Sequence, residues 1–287
     1  MKSEVECSKC FCDSLFHQLG KLDVSGEEKI EISKEVMRMI CEADFTQPPP
    51  LIAARVNEII SAHGVGFEPF KREKELSTKY ARELLENIRP ELENLSDPFE
   101  AYVLLAIAGN IIDFGVDCNF DLNSAREKII HSLSEPFDRD AMNLLRKKME
   151  EAENILYIMD NCGEAVFDTL LVSLHQEKIT LAVRGKPILN DITRAEVEPS
   201  GFQNIRVIDT GDFTPGISLT ASSEEFMGAY RSADLIIAKG QGNFETLCDD
   251  SDRPVFFLFR AKCPVVIRKL GGVKQGSYQL RHINVEA

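Results

Sequence analysis

The hydrophobic pattern of this chain changes period once, near Asn154, and that change constrains the fold more than any other feature. Before it, apolar residues recur at helical spacing among charges. After it come five short apolar runs: Ile155 to Met159, Ile179 to Val183, Ile205 to Ile208, Leu235 to Ala238 and Val255 to Phe259. Continuous apolar runs of this length read as strands buried on both faces. Helical stretches alternate with them: Ala165 to Gln176, one capped by Thr193 and Glu196, and one capped by Ser222 and Glu225. The expected fold is therefore α/β, with a helical region over residues 1–150 and a mostly parallel sheet with helices on its faces over 151–287.

Within the helical region, Ser25 and Glu28 have capping-box spacing and predict a helix running to about Cys41. The Pro48-Pro49-Pro50 run is expected to stop it, with another helix near Leu51 to Ala62. Leu76, Tyr80, Leu84 and Ile88 mark one apolar face of a helix whose charges read as a solvated face. Phe99 to Gly115, entered through Asp97 and Pro98, is apolar nearly all round and belongs in the interior. Asn110 and Asp113 share one side of it, where a polar pair needs partners or a task.

A formal charge of -14 argues against a nucleic-acid or membrane-surface partner, since both recruit clustered Lys and Arg. No apolar stretch reaches a bilayer span, and the first ten residues have no apolar signal core, so a cytoplasmic protein is expected. Most of the eight cysteines are expected to be buried thiols. Cys7 and Cys10 have metal-grip or redox spacing, but no second pair completes a four-ligand zinc site, although Cys41 or His17 could supply ligands.

In open α/β sheets ligands bind beyond the carboxyl ends of the strands, and here those ends are polar. They read Asp160-Asn161-Cys162-Gly163-Glu164, then Arg184 through Asp191, Asp209-Thr210-Gly211-Asp212, Lys239-Gly240-Gln241-Gly242-Asn243-Phe244-Glu245, and Arg260 through Pro264. Asp160, Asn161 and Asp191 form a hard-oxygen set suited to Mg²⁺ or Mn²⁺. Lys239 and Lys262, with the N–H groups of the Gly240 to Gly242 turn, suit phosphoryl oxygens.

The strings at 108–115, 160–164, 190–191, 239–245 and 261–264 together resemble the metal-dependent damage-control phosphatases, formerly domain of unknown function 89. Cys7-x-x-Cys10 is similar to the small stand-alone prokaryotic branch. The resemblance implies a helical N-terminal region packed on a Rossmann-like, mostly parallel domain, with one divalent ion (Mn, Co, Ni or Mg) in the cleft between them. It implies Asp160, Asn161 and Asp191 as metal ligands, Gly240, Gln241, Gly242, Asn243 and Phe244 as the substrate-binding turn, and Lys262 on the phosphate. Asn110 and Asp113 match a helix motif lining the cleft. Arg260-Ala261-Lys262 departs from the Arg-Thr-x-Lys of the larger eukaryotic branch.

The expected reaction is hydrolysis of a phosphomonoester on a small metabolite such as a sugar phosphate, with Asp160, Asp191 and Lys262 in the chemistry and Glu164 orienting or deprotonating water. Two readings compete. One is an S-adenosylmethionine-dependent carboxyl methyltransferase, which the acidic residues in place of a glycine-rich first turn disfavour. The other is a metal- or redox-sensing protein working through Cys7 and Cys10, which leaves the strand-end motifs unexplained.

Overall fold

The computed structural model describes residues 1–64, 68, 70–109, 122–133, 137–249 and 252–286. Its centre is a six-stranded sheet in the order β3-β2-β1-β4-β5-β6. The strands are β1 Ile155–Ile158, β2 Ile179–Val183, β3 Arg206–Asp209, β4 Leu235–Lys239, β5 Val255–Arg260 and β6 Tyr278–Ile283. Strands β1 to β5 pair in parallel and β6 runs antiparallel to β5. The five sequence-predicted strands are thus present; β6 was not read because its alternation is broken by Arg281 and His282.

Period-two alternation splits the strand side chains between two cores. Leu156, Ile158, Ile236, Phe257 and Phe259 face helices α1 (Val5–Lys21), α2 (Gly26–Glu42) and α3 (Pro49–His63). Ile155, Tyr157, Leu181, Ile237 and Leu258 face the other side, against α5 (Phe99–Ala108), α7 (Arg139–Glu151) and α8 (Cys162–Ser173). Outside α8 and α5 lie α4 (Lys71–Glu93) and α6 (Leu122–Ser132). The remaining helices are α9 (Arg194–Ser200), α10 (Glu224–Ser232), α11 (Gly240–Leu247) and α12 (Pro264–Lys269). Packing therefore runs across residue 150, because the N-terminal helices bury their apolar faces directly on the sheet.

Local signals succeed where the partner is close in sequence. The Ser25/Glu28 and Thr193/Glu196 capping boxes both form. The third cap is Ser223 rather than Ser222, its hydroxyl accepting from Phe226 N–H at 3.2 Å and donating to the Asp209 carbonyl at 2.8 Å. The proline run begins α3 instead of ending α2, since Pro49 sits in the first turn where no intrahelical N–H is needed. On α4 the charged face is not wholly solvated: Lys74 is buried and pairs with Glu68 at 2.8 Å and Glu196 at 3.5 Å. Among the described residues no helix is long and apolar enough to cross a membrane.

Candidate active site

The sheet order places a topological switch between β1 and β4, which lead to opposite halves of the sheet. Asp160 follows β1 there and Gly240 follows β4. Gly240 adopts φ +78°, and a Cβ on it would lie 2.1 Å from Asp160 Cγ. Only glycine lets the start of α11 press against this carboxylate. The Arg184–Asp191 turn is drawn in by backbone bonds: Cys162 N–H donates to Asn190 O at 3.0 Å, and Ile192 N–H to Asp160 O at 2.9 Å. Asn161 and Asp191 are consequently bridged as an isolated antiparallel pair.

Asp160, Asn161 and Asp191, the three sequence-predicted ligands, are thus neighbours. Asn161 Nδ2 donates to Asp160 Oδ2 at 2.9 Å. Arg184 went unassigned in the sequence and proves central: 1% exposed, it reaches Asp191 Oδ2 at 2.7 Å, Asp160 Oδ1 at 3.5 Å, Gly216 O at 2.8 Å and Asn243 Oδ1 at 3.2 Å. The available signal was an arginine ending an otherwise apolar strand. Burial, with Asp191 and Glu164 near, pushes the Asp160 carboxyl well above the usual carboxylate range, against the pull of Arg184 and Lys262.

The lysines divide. Lys262 is exposed, close enough to bear on Asp160, and its N–H donates to Gln241 Oε1 at 3.0 Å, as does Cys263 N–H at 3.1 Å. Gln241 therefore ties the α11 turn to the Lys262 segment. Lys239 does not face the cleft, correcting its reading as a phosphate ligand: it is fully buried and donates to Ala106 O at 2.7 Å, Asp168 Oδ1 at 2.7 Å and Glu164 Oε1. Burial opposes its charge, yet Asp168 and Glu164 outweigh that and raise its pKa. Asp168, which also accepts from Tyr157 OH at 2.6 Å, is pushed up to about 6, chiefly by burial. Asp168 was missed in the sequence, although a carboxylate inside an apolar helix, four residues past Glu164, was a readable signal.

Three further sequence-predicted residues sit in the core. Glu164 is buried and held in the core by Lys239 through Oε1, while its Oε2 accepts no hydrogen bond among the described residues. Asn243 is fully buried and holds Lys239 O at 2.6 Å and Met159 O at 3.3 Å, knitting β1 to β4 beneath the site. Phe244 stacks on Phe259 at 4.7 Å and meets Phe257 edge-on at 5.3 Å, which makes it core. Gly240, Gln241 and Gly242 open α11, with Gly240 against Asp160, while Asn110 and Asp113 lie outside the described residues.

The cysteines also depart from expectation. Of the seven described, all free, only Cys7 and Cys162 are buried. Cys7 and Cys10 lie beside Cys263 and Gln241, far from them in sequence but lining one cavity. His17 stacks on Phe70 instead of serving this pair, and no group of three His, Cys, Asp or Glu side chains among the described residues is arranged to hold an ion.

The donor set at the switch point nonetheless fits a hard divalent cation. It comprises two carboxylates and an amide, and among the described residues Asp191 Oδ1 and the Asn161 side-chain oxygen accept no hydrogen bond. The charge balance agrees. Counted formally, Asp160, Glu164, Asp168 and Asp191 face two buried cations, Arg184 and Lys239, two more carboxyls than cations.

A doubly wound sheet that gathers hard oxygen donors, a helix N-terminus and an exposed lysine at its switch point is the arrangement an enzyme of phosphoryl chemistry needs. Comparison with known proteins specifies which kind. Residues 3–277 match the damage-control phosphatase ARMT1-like domain. A damage-control phosphatase of Pyrococcus horikoshii is 40% identical over 280 residues, 94% of each chain. An Archaeoglobus fulgidus protein of the same description is 29% identical over 296 residues, 94% of this chain and 96% of that one. A crystal structure of a DUF89 family protein from Pyrococcus horikoshii superposes with TM-score 0.86 and 32% identity, covering 97% of this chain and 98% of that one. The chain belongs to the damage-control phosphatase family, and it is a phosphatase of metabolite repair.

Proposed function

We propose that the chain hydrolyses phosphomonoesters of small metabolites with one divalent ion, Mn²⁺, Co²⁺, Ni²⁺ or Mg²⁺, held by Asp160, Asn161 and Asp191. The observation that carries this reading is the contact of the Gly240 turn with Asp160, which sets amide N–H donors against metal-type oxygens in one place. When bound, the ion supplies Lewis-acid polarisation of the phosphoryl group and a water of lowered pKa. The chain's own groups do the rest. Arg184 holds Asp191 Oδ2 and Asp160 Oδ1, which leaves Asp191 Oδ1 without a hydrogen bond among the described residues. The N–H groups of Gly240, Gln241 and Gly242, at the positive end of α11, donate to phosphoryl oxygens. Lys262 adds a positive charge, and Gln241 keeps its backbone in register with that turn.

The test is phosphate release from a panel of metabolite phosphates with each of the four metals, with chelator, and without S-adenosylmethionine. Asp191→Asn is preferable to Asp191→Ala, since the amide preserves volume and an acceptor for the buried Arg184. It should weaken Mn²⁺ binding at least tenfold, and wild-type Mn²⁺ affinity in the variant would remove Asp191 from the site. Chelated enzyme as active as metal-loaded enzyme would end the metal-dependent reading.

A further inference from the structure

Three thiols from distant parts of the chain meet beside the phosphate turn. Cys7 and Cys10 of α1 and Cys263 at the entry to α12 line one cavity of about 260 Å³, whose wall also includes Gln241 and Gly242 of that turn. All three are free: Cys7 is buried, Cys10 exposed and Cys263 half-buried. The proposed function uses none of them. No group of such side chains among the described residues is arranged to hold an ion, so the chemistry open to these neighbouring thiols is pairing.

The C-x-x-C spacing suggests Cys7 with Cys10, and helix geometry opposes it. Both lie within α1, where residues three apart hold their Cβ atoms about 5 to 6 Å from each other, whereas a disulfide needs about 3.5 to 4.5 Å. Joining them would unwind the first turn of α1. Cys263 is free of that constraint, because it comes from a separate segment. Of the ionisable neighbours it is also the one that bears most strongly on the Cys7 thiol and on the Cys10 thiol, more than Cys10 bears on Cys7. Cys7 is buried, and its Sγ accepts from the Glu4 N–H at 3.4 Å. Cys10 is exposed, so a solvent-borne oxidant meets it first.

We propose that Cys10 and Cys263 are a redox-sensitive pair, which peroxide joins into a disulfide that clamps the Lys262 segment to α1 and slows turnover. In the first step the Cys10 thiolate attacks one peroxide oxygen, the O–O bond breaks, and hydroxide leaves to take up the thiol's proton as water. Cys10 is then a sulfenic acid. The Cys263 thiolate attacks that sulfur, the S–O bond breaks, and a second water leaves. Two thiols are oxidised to one disulfide while one hydrogen peroxide is reduced to two waters. Partial burial, and after it Cys263, pushes the Cys10 thiol up, so little thiolate is present near neutrality and the pair answers sustained rather than brief oxidation. The path to the phosphate turn is short. Cys263 N–H and Lys262 N–H both donate to Gln241 Oε1, at 3.1 and 3.0 Å, and Gln241 is the second residue of α11. Drawing Cys263 toward α1 pulls on those two bonds and moves Lys262 relative to the turn. The effect on turnover rests on the phosphatase reading above; the disulfide itself does not.

For the test, the full-length protein is treated with hydrogen peroxide at pH 8, freed of peroxide and then loaded with Mn²⁺. One portion is digested with trypsin without reduction, and the other is assayed with p-nitrophenyl phosphate. Peptide 10–21 should appear joined to peptide 263–268, two hydrogens lighter than the separate pair. In the same sample kcat/KM should fall at least fivefold and return with dithiothreitol. Cys10→Ser should show neither the joined peptide nor the loss, which also separates Cys10 from Cys12 on the same peptide, whereas Cys7→Ser should show both. A Cys7–Cys10 disulfide, no link to Cys263, or a link that leaves kcat/KM unchanged overturns the proposal. The joined peptide in protein that hydrolyses no phosphomonoester even when reduced would sink the phosphatase reading and leave the thiol pair standing.

Discussion

Replacing Lys239 by methionine separates a buried positioning role from a substrate contact. Methionine fills nearly the same volume but donates nothing, so the change deletes the bonds to Ala106 O, Asp168 Oδ1 and Glu164 Oε1 together. Removing one partner from a buried ion pair costs about 3 to 5 kcal/mol, mostly through the charge left behind. Here two carboxylates are left, and Glu164 Oε2 and Asp168 Oδ2 already accept no hydrogen bond among the described residues. The loss should therefore fall at the upper end of that range. Its pH dependence has a definite sign. Without the ammonium, the Asp168 carboxyl is driven further above its unfolded pKa, so the folded variant takes up protons more readily than the unfolded chain. Stability relative to wild type should accordingly recover as pH falls through the region of Asp168, whose carboxyl is already raised to about 6. The assay is urea unfolding of both proteins at pH 8 and pH 5.5, with the larger deficit expected at pH 8. A variant that unfolds with wild-type midpoints at both pH values, and differs only in a raised KM, would show that the amine meets substrate and refute the buried-network argument.

Other outcomes follow from the same geometry. Gly240→Ala combines a left-handed backbone, costing about 1 to 2 kcal/mol for an L-residue, with a methyl placed 2.1 Å from Asp160 Cγ. It should lower Mn²⁺ affinity at least tenfold by titration calorimetry; unchanged affinity would detach the turn from the metal site. For Glu245, a folded-state pKa of about 7 means that its contribution to stability is full below its unfolded pKa and is lost as pH rises to about 7. The loss is at most on the order of 3 kcal/mol. Thermal melts should then show Glu245→Gln losing less stability than wild type between pH 5 and pH 8, and parallel curves would contradict the assignment. The Cys7→Ser/Cys10→Ser protein should keep metal-dependent turnover, because neither thiol touches the candidate ligands; a folded variant without turnover would place thiol chemistry in the reaction.

The part of the structure legible in the sequence is the part whose causes lie within a few residues. Apolar runs revealed β1, β2, β4 and β5 because a strand buried on both faces in a parallel sheet has no polar positions to interrupt it, whereas the partly exposed edge strand β3 showed only a short run broken by Arg206. The Ser25/Glu28 and Thr193/Glu196 boxes were legible because each partner is three residues away. Alternation of strand and helix then implied that polar strand ends share one edge, which brought Asp160, Asn161, Asp191 and the Gly240 turn into one candidate site. The surroundings of each polar residue there depend on packing between distant segments. Lys239 meets Glu164 across 75 residues and Asp168 across 71, so whether its amine reaches solvent or the core depended on how α8 and α5 pack over β4. Arg184 finds Asn243 across 59 residues. Cys7 and Cys10 share a cavity with Cys263, and Phe244 turns to the core, for the same reason. Hydrogen-bond donors and acceptors are alike along a chain; burial and the approach of a distant partner determine which of them remain available to a ligand.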